Sequence, residues 1–281
     1  MSTYFITGAT GTIGKEVVNS LLSKNEHVIA GTRDPQKLQD FYKDSVTGTY
    51  FDYGAKESYQ EVLNTDGIFL LGPPLNPGLY ELLEPFVDYL QDNYKGRLIY
   101  LSGNGMENLE ELPFHKKMEE KLKNSSLNWN IVRPGFFMQN FGNYDRENIQ
   151  DRNIIFSPAG EGKSSFVSSK DVGSAIAELL IDPNRVKETH VLTGTKAYTH
   201  FDVAAMLSDI LRREITYPNP DENTYKQVLK ESGAPDFIAD YMIPVYGMIK
   251  QGKVDNVTTA IKDLTGKEPE SLEEVLKRDF Q

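Results

Sequence analysis

Short apolar runs alternate along most of the chain with longer segments of helical spacing. The runs are Tyr4-Phe5-Ile6, His27-Val28-Ile29-Ala30, Ile68-Phe69-Leu70-Leu71, Leu98-Ile99-Tyr100-Leu101, Trp129-Asn130-Ile131-Val132 and His190-Val191-Leu192. They are continuously apolar rather than alternating, as strands of a parallel sheet buried on both faces require. A weaker run lies between Val46 and Phe51. Between the runs, Leu79, Leu82, Leu83, Phe86, Val87 and Leu90 form one stripe of a helix, with Pro85 either kinking it or marking its true first turn. Val172, Ala175, Ile176, Leu179 and Leu180 repeat the pattern. Asp34-Pro35 reads as an N-cap followed by proline at the first helical position, and Ser58…Glu61 and Ser271…Glu274 have capping-box spacing.

The first run leads directly into Gly8-Ala9-Thr10-Gly11-Thr12-Ile13-Gly14, and a helix with buried face Val17, Val18, Leu21 and Leu22 follows. In that context the glycines have a mechanism. Gly8 permits a tight turn, Gly11 admits a pyrophosphate to the backbone, and Gly14 lets the helix pack close to the strand. The expected fold is therefore α/β: a Rossmann-type doubly wound parallel sheet with a smaller, interleaved C-terminal lobe. Residues 1–155 form the NAD(P)-binding domain and 156–281 the smaller substrate-binding lobe, with segments near 168–195 rejoining the main sheet. Arg33 stands at the end of the second strand, where a carboxylate would select NAD(H). A guanidinium there suits the 2′-phosphate of NADP(H), with Asp34 expected to be occupied in capping its helix.

Composition narrows the choice. The 30 Lys and Arg residues face 41 Asp and Glu, a formal charge of −11, which disfavours nucleic acid. There is no cysteine, so disulfides and thiolate chemistry are excluded, and the histidines His27, His115, His190 and His200 lack metal-ligand spacing, so no metal is expected. No apolar run approaches a membrane span and no signal peptide is evident; the expected compartment is the cytoplasm.

Several stretches resemble the NmrA-like branch of atypical short-chain dehydrogenases/reductases: Thr7 to Gly14, Thr32-Arg33-Asp34-Pro35, Leu70-Leu71-Gly72-Pro73-Pro74, Ile99-Tyr100-Leu101-Ser102-Gly103, Leu192-Thr193-Gly194 and, most specifically, Val132-Arg133-Pro134-Gly135-Phe136-Phe137-Met138-Gln139-Asn140. The resemblance implies NADP(H) bound by Gly8, Thr10, Gly11, Thr12 and Ile13 at the pyrophosphate and Arg33 at the 2′-phosphate. It implies Asp52 and Tyr53 near adenine, with Leu71, Gly72, Pro73, Pro134, Gly135 and Phe136 flanking the nicotinamide. Ser102 follows the fifth strand, where this superfamily often keeps a catalytic serine. With no base nearby in sequence it counts among the cofactor-binding candidates rather than as a nucleophile. The Tyr-x-x-x-Lys pair of ordinary short-chain dehydrogenases is absent. In its region stands His115-Lys116-Lys117-Met118-Glu119, similar to the His-x-x-x-Glu version of the family's quinone and dye reductases. His115 is the catalytic candidate, or else a helix-start histidine paired with Glu119.

Phe136, Phe137, Met138, Phe141 and Tyr144, with Tyr241, Met242, Tyr246 and Met248, are either core or the walls of a pocket for a small apolar aromatic substrate. Two functions remain open: an NADPH-dependent reductase of planar acceptors such as quinones or dyes, and a redox-sensing regulator that binds NADP(H) and acts through a protein partner.

Overall fold

A computed structural model of the chain describes residues 2–281. Seven strands form one sheet: β1 (Thr3–Thr7), β2 (His27–Thr32), β3 (Thr47–Tyr50), β4 (Gly67–Leu70), β5 (Arg97–Leu101), β6 (Asn128–Pro134) and β8 (Glu188–Leu192). Their order is β3-β2-β1-β4-β5-β6-β8, and every neighbouring pair is parallel. The chain reverses its winding between β1 and β4, so the carboxyl edge there is the crevice in which such sheets bind ligands. A two-stranded antiparallel ribbon, β7 (Lys163–Ser164) with β9 (Tyr198–Thr199), lies outside the main sheet. The helices are α1 (Gly14–Ser23), α2 (Pro35–Tyr42), α3 (Leu79–Asn93), α4 (Phe114–Lys123), α5 (Asn140–Asn143), α6 (Arg146–Asp151), α7 (Ser169–Ile181), α8 (His200–Leu211), α9 (Glu222–Glu231), α10 (Asp236–Lys250), α11 (Ala260–Thr265) and α12 (Leu272–Phe280). No helix among the described residues is long and apolar enough to cross a membrane.

Side chains of a strand point alternately to the two faces, and here both faces are apolar. Tyr4, Ile6, Phe69 and Ile99 pack under α1 and α7, whereas Phe5, Ile68, Leu98 and Tyr100 join a second core with α3 and α4. That second core continues without a break through Phe141, Phe166 and Leu207 into the residues that follow β6. The edge strand β3 differs: Thr47, Gly48 and Tyr50 are exposed, which explains its weak apolar signal.

Pro85 lies in the interior of α3, which runs on to Asn93 because Leu79, Leu83, Phe86, Val87 and Leu90 are buried on both sides of it. Two of the expected caps are corrected. Asp34 makes no side-chain bond to the start of α2. Ser58 sits inside a 3-10 turn, Lys56–Val62, and its hydroxyl donates to the Ala55 carbonyl at 2.7 Å. The Ser271…Glu274 box is present at α12, and a second box, Thr199…Asp202, opens α8 with aspartate in the reciprocal position.

Helices α1 and α7 cross very closely. A Cβ on Gly173 would lie 2.4 Å from Glu16 Cβ and 2.9 Å from the Val17 nitrogen. Gly173→Ala should therefore destabilise the fold by about 1–3 kcal/mol despite the better helix propensity of alanine. Denaturant melts check this, and an unchanged midpoint would show that the two helices separate at no cost.

Candidate functional site

Thr7, the last residue of β1, ties the crevice together: its hydroxyl donates to the Phe69 carbonyl at 2.9 Å and accepts from the Leu71 amide at 2.8 Å. Gly8 has φ +63°, the left-handed region that glycine enters without strain. A Cβ on Gly14 would sit 2.1 Å from the Gly8 carbonyl oxygen, so this residue sets how closely α1 meets the strand. Gly11 differs: its Cβ direction meets only that same oxygen, at 3.3 Å, and the residue is exposed. The Thr12 and Ile13 amides are not used in backbone bonds within the turn, whereas Gly11 donates to Gly8 at 2.9 Å. The cradle has room and free donors for a pyrophosphate at the start of α1. Tyr42 closes it from behind, donating to the Ala9 carbonyl at 2.6 Å; burial raises its pKa to about 12, so it stays a donor. Asn143 reaches over from α5 and donates to Thr12 Oγ1 at 3.4 Å.

The other candidates follow along the carboxyl edge. Arg33 is exposed after β2 and forms no hydrogen bond or ion pair among the described residues; Asp34 beside it donates its amide to Thr32 Oγ1 at 3.1 Å. Asp52 accepts from the Gly54 amide at 2.7 Å, and Tyr53 donates its hydroxyl to the Leu71 carbonyl at 2.9 Å while its ring meets Phe51 edge-on. Leu71 lies against Gly8, and Gly72 packs on Leu79 at the start of α3, leaving Pro73 exposed. At the end of β6, Gly135 donates to the Leu192 carbonyl at 2.9 Å, and a Cβ on it would be 2.1 Å from the Ser165 carbonyl oxygen. The structure thus brings the glycine turn, Arg33, Asp52, Tyr53, Leu71 to Pro73, Ser102 and Pro134 to Phe136 to one edge of the sheet.

His115 is not paired with Glu119. Its Nδ1 lies 2.7 Å from the Tyr100 hydroxyl at the end of β5. Burial lowers the His115 pKa to about 4 and raises that of Tyr100 well above its ordinary value, so both are neutral at pH 7. With the phenol donating, the imidazole proton resides on Nε2. Glu119 is only 1% exposed and is held by other groups. Ser102 Oγ donates to it at 2.8 Å, Lys123 Nζ at 3.0 Å, and Arg133 grips both carboxylate oxygens. Arg133 also reaches Glu107 at 2.8 Å. The Ser102 hydroxyl proton is therefore directed at Glu119.

Beyond β6 the aromatic run does two jobs. Met138 and Met248 are core, and Tyr241 stacks on Phe114. Phe136, Phe137, Phe141, Tyr144, Met242 and Tyr246 line a small recess of about 70 Å³ that opens to solvent. Asp145, Ser157 and His200 also face it. None of these three, nor Tyr42, Tyr100 or Asn143, carries a local sequence signal; each owes its place to packing between distant segments.

Burial opposes the charge of Glu119, but hydrogen bonds from Arg133, Lys123 and Ser102 outweigh it and hold the carboxyl below its ordinary value. A depressed carboxyl contributes stability above the unfolded-state value of 4.5 and loses it as pH falls through the lower folded value. Glu119→Gln should cost about 3–5 kcal/mol at pH 7, because it leaves Arg133 under-compensated in a largely buried position. The difference from the native chain should shrink in acid. Urea melts at pH 7 and pH 4 check both, and a pH-independent difference would refute the ionic origin.

Residues 8–183 match the family model described as NAD(P)H-binding, and residues 108–276 match that of the NmrA-like family. Prestalk A differentiation protein A of Dictyostelium discoideum is 28% identical, over 98% of this chain and 91% of that protein. The NAD(P)H azoreductase of Xenophilus azovorans is 25% identical, over 97% and 96%. The NADPH-dependent quinone oxidoreductase of Escherichia coli, solved as a complex with NADPH, superposes with a TM-score of 0.90 at 22% identity, covering 99% of this chain and 100% of that one. Each family model spans more than half of the sequence, and the chain belongs to the NmrA-like family of NAD(P)H-binding proteins.

Proposed function

We propose that this protein is an NADP(H)-dependent reductase that delivers hydride to a planar organic acceptor such as a quinone or dye. The observation that carries the reading is the position of Phe136. It follows the Pro134-Gly135 end of β6, at the carboxyl edge shared with the glycine turn, and it also walls the aromatic recess, where it stacks on Tyr246 at 6.2 Å. A bound nicotinamide would supply the hydride there. The residues from 156 onward act as the substrate-binding lobe and provide the far wall through His200, Met242 and Tyr246. Arg33, free of other partners, binds the 2′-phosphate. The names of the azoreductase and quinone oxidoreductase relatives agree with an aromatic acceptor.

The protein's own groups set limits on the chemistry. Neutral His115 and protonated Tyr100 can orient a ligand by hydrogen bonding, but neither exchanges a proton readily near pH 7. Acceptors that stabilise added electrons themselves suit such a site, where the protein supplies orientation and excludes water. That same neutrality favours a second reading, an NADP(H)-binding sensor acting through a protein partner without turnover.

Arg33→Ala should remove a charged hydrogen bond worth about 1.5–3 kcal/mol, roughly ten- to hundred-fold in NADPH affinity, with little change for NADH. Titration of both cofactors checks this, and equal losses would remove Arg33 from the site. NADPH oxidation should be far faster with quinones than with ketones of similar size and should vanish in Gly11→Val, where the side chain fills the anion cradle. Tight NADPH binding without oxidation across the acceptors would replace the reductase with the sensor.

A further inference from the structure

The recess that Phe136 walls is too small for a planar acceptor. At about 70 Å³ it has room for about two or three waters, whereas sites for organic ligands run to about 300–1,000 Å³. A wall has to withdraw, and the walls differ in how they are held. Phe141, Ile155 and Phe166 are buried in the core, and the Phe136 carbonyl accepts from the Val167 amide at 2.9 Å. Met242 is held otherwise. It belongs to a helical hairpin, residues 221–243, made of α9 and the first half of α10.

Little fastens this hairpin to the rest of the molecule. Within it only Tyr225 and Ala239 are buried, and Phe237 is 47% exposed. Its side-chain hydrogen bonds stay inside it: the Thr224 amide donates to Asp221 at 2.8 Å, Lys226 Nζ to Asp240 at 2.7 Å and Gln227 to Glu231 at 2.8 Å. Apart from α10 running on, its one polar tie to the remainder of the described residues is the exposed pair Glu222–Lys250, at 3.8 Å. Ring contacts supply most of the rest: Tyr225 stacks on Phe156 and Tyr241 on Phe114, each at 5.9 Å, and Tyr225 meets Tyr246 edge-on at 6.0 Å. The Phe114 ring in turn lies 4.7 Å from that of His115, so the hairpin roofs the space between the catalytic candidate and the recess.

Pro244 stands where the loose half of α10 meets the fixed half. It has no N–H, so the Asp240 carbonyl lacks its helical partner and the proline ring crowds it. Beyond it Met248 and Ile249 are buried, and Gly162 lies so near the Ile249 carbonyl that no side chain would fit between them. The Lys226–Asp240 pair joins α9 to the first half of α10, so the two move together. We propose that residues 221–243 are a lid, closed in this structure, which swings about Pro244 to admit a planar acceptor beside Phe136. The reductase reading supplies what enters; the movement rests on the hairpin's own attachments. So few buried groups make its opening much less costly than global unfolding. Closure brings Tyr241 and Met242 back over the site and excludes water during hydride transfer.

Hydrogen exchange read by mass spectrometry on the full chain tests the movement without any acceptor. Amides of residues 222–243 should exchange at least about tenfold faster than those of residues 245–250, although α10 continues through both. Pro244→Ala restores the missing N–H and should bring the two halves of α10 closer in rate. The same variant should lower kcat/KM for tetramethyl-1,4-benzoquinone by about fivefold or more, with NADPH affinity within about twofold of the native value. Equally slow exchange along the whole of α10 in the native chain would overturn the lid. Fast exchange with quinone turnover indifferent to Pro244→Ala would also overturn it, because the motion would then not govern entry. A native chain that binds NADPH but reduces no acceptor would remove the reductase reading, and the exchange pattern would then decide the lid by itself.

Discussion

At the end of β1 the backbone of α1 comes so near the strand that only a hydrogen fits at Gly14, and much of the carboxyl edge is arranged around that approach. The helix start then directs its first amides into the crevice instead of over the sheet. Gly8, in the left-handed region, makes the turn that permits this, and Leu71 from the next strand fills the space that a side chain on Gly8 would need. Thr7 and Tyr53 fix Leu71 through its amide and carbonyl. The anion cradle and the β4 turn are consequently one unit, although some sixty residues of chain separate them. Gly11 stands apart from this constraint. A Cβ there would press only on the Gly8 carbonyl oxygen, at 3.3 Å, and the residue is otherwise exposed.

The frame of the molecule was legible because burial on both faces of a parallel sheet leaves a signature that short windows detect. All six strong apolar runs are strands, and the weak one is the exposed edge β3. Local spacing was less informative about polar side chains. His115 and Glu119 lie one helical turn apart and could have met, yet Glu119 is engaged by Arg133 from β6 and Ser102 from the end of β5, and His115 by Tyr100. A charge-assisted pair with an arginine is stronger than one with a neutral imidazole, and desolvation keeps this imidazole neutral. Asp34 likewise had the spacing of a cap without making the bond. The recess was half legible: its aromatic walls stand in two clusters in the sequence. Asp145 and Ser157 fall in short irregular segments and His200 at the capped start of α8, so nothing local connects the three.

The two polar neighbourhoods around Glu119 and Asp145 use opposite logic. Around Glu119 nearly every donor has an acceptor, and the group links α4, β5 and β6 into a rigid edge; only Glu107 Oε2 is unpaired there. Asp145 accepts from Asn148 and from the Phe156 amide, while Ser157 Oγ and His200 Nδ1 nearby are unpaired, and the surroundings are aromatic rather than ionic. A fold that can satisfy Glu119 so thoroughly is not short of means to satisfy Asp145, because one lysine or arginine on α9 or α10 would suffice. Without one, Asp145 is held by neutral donors alone, and burial raises its carboxyl to about 6, whereas the cationic partners of Glu119 hold that carboxyl below its ordinary value.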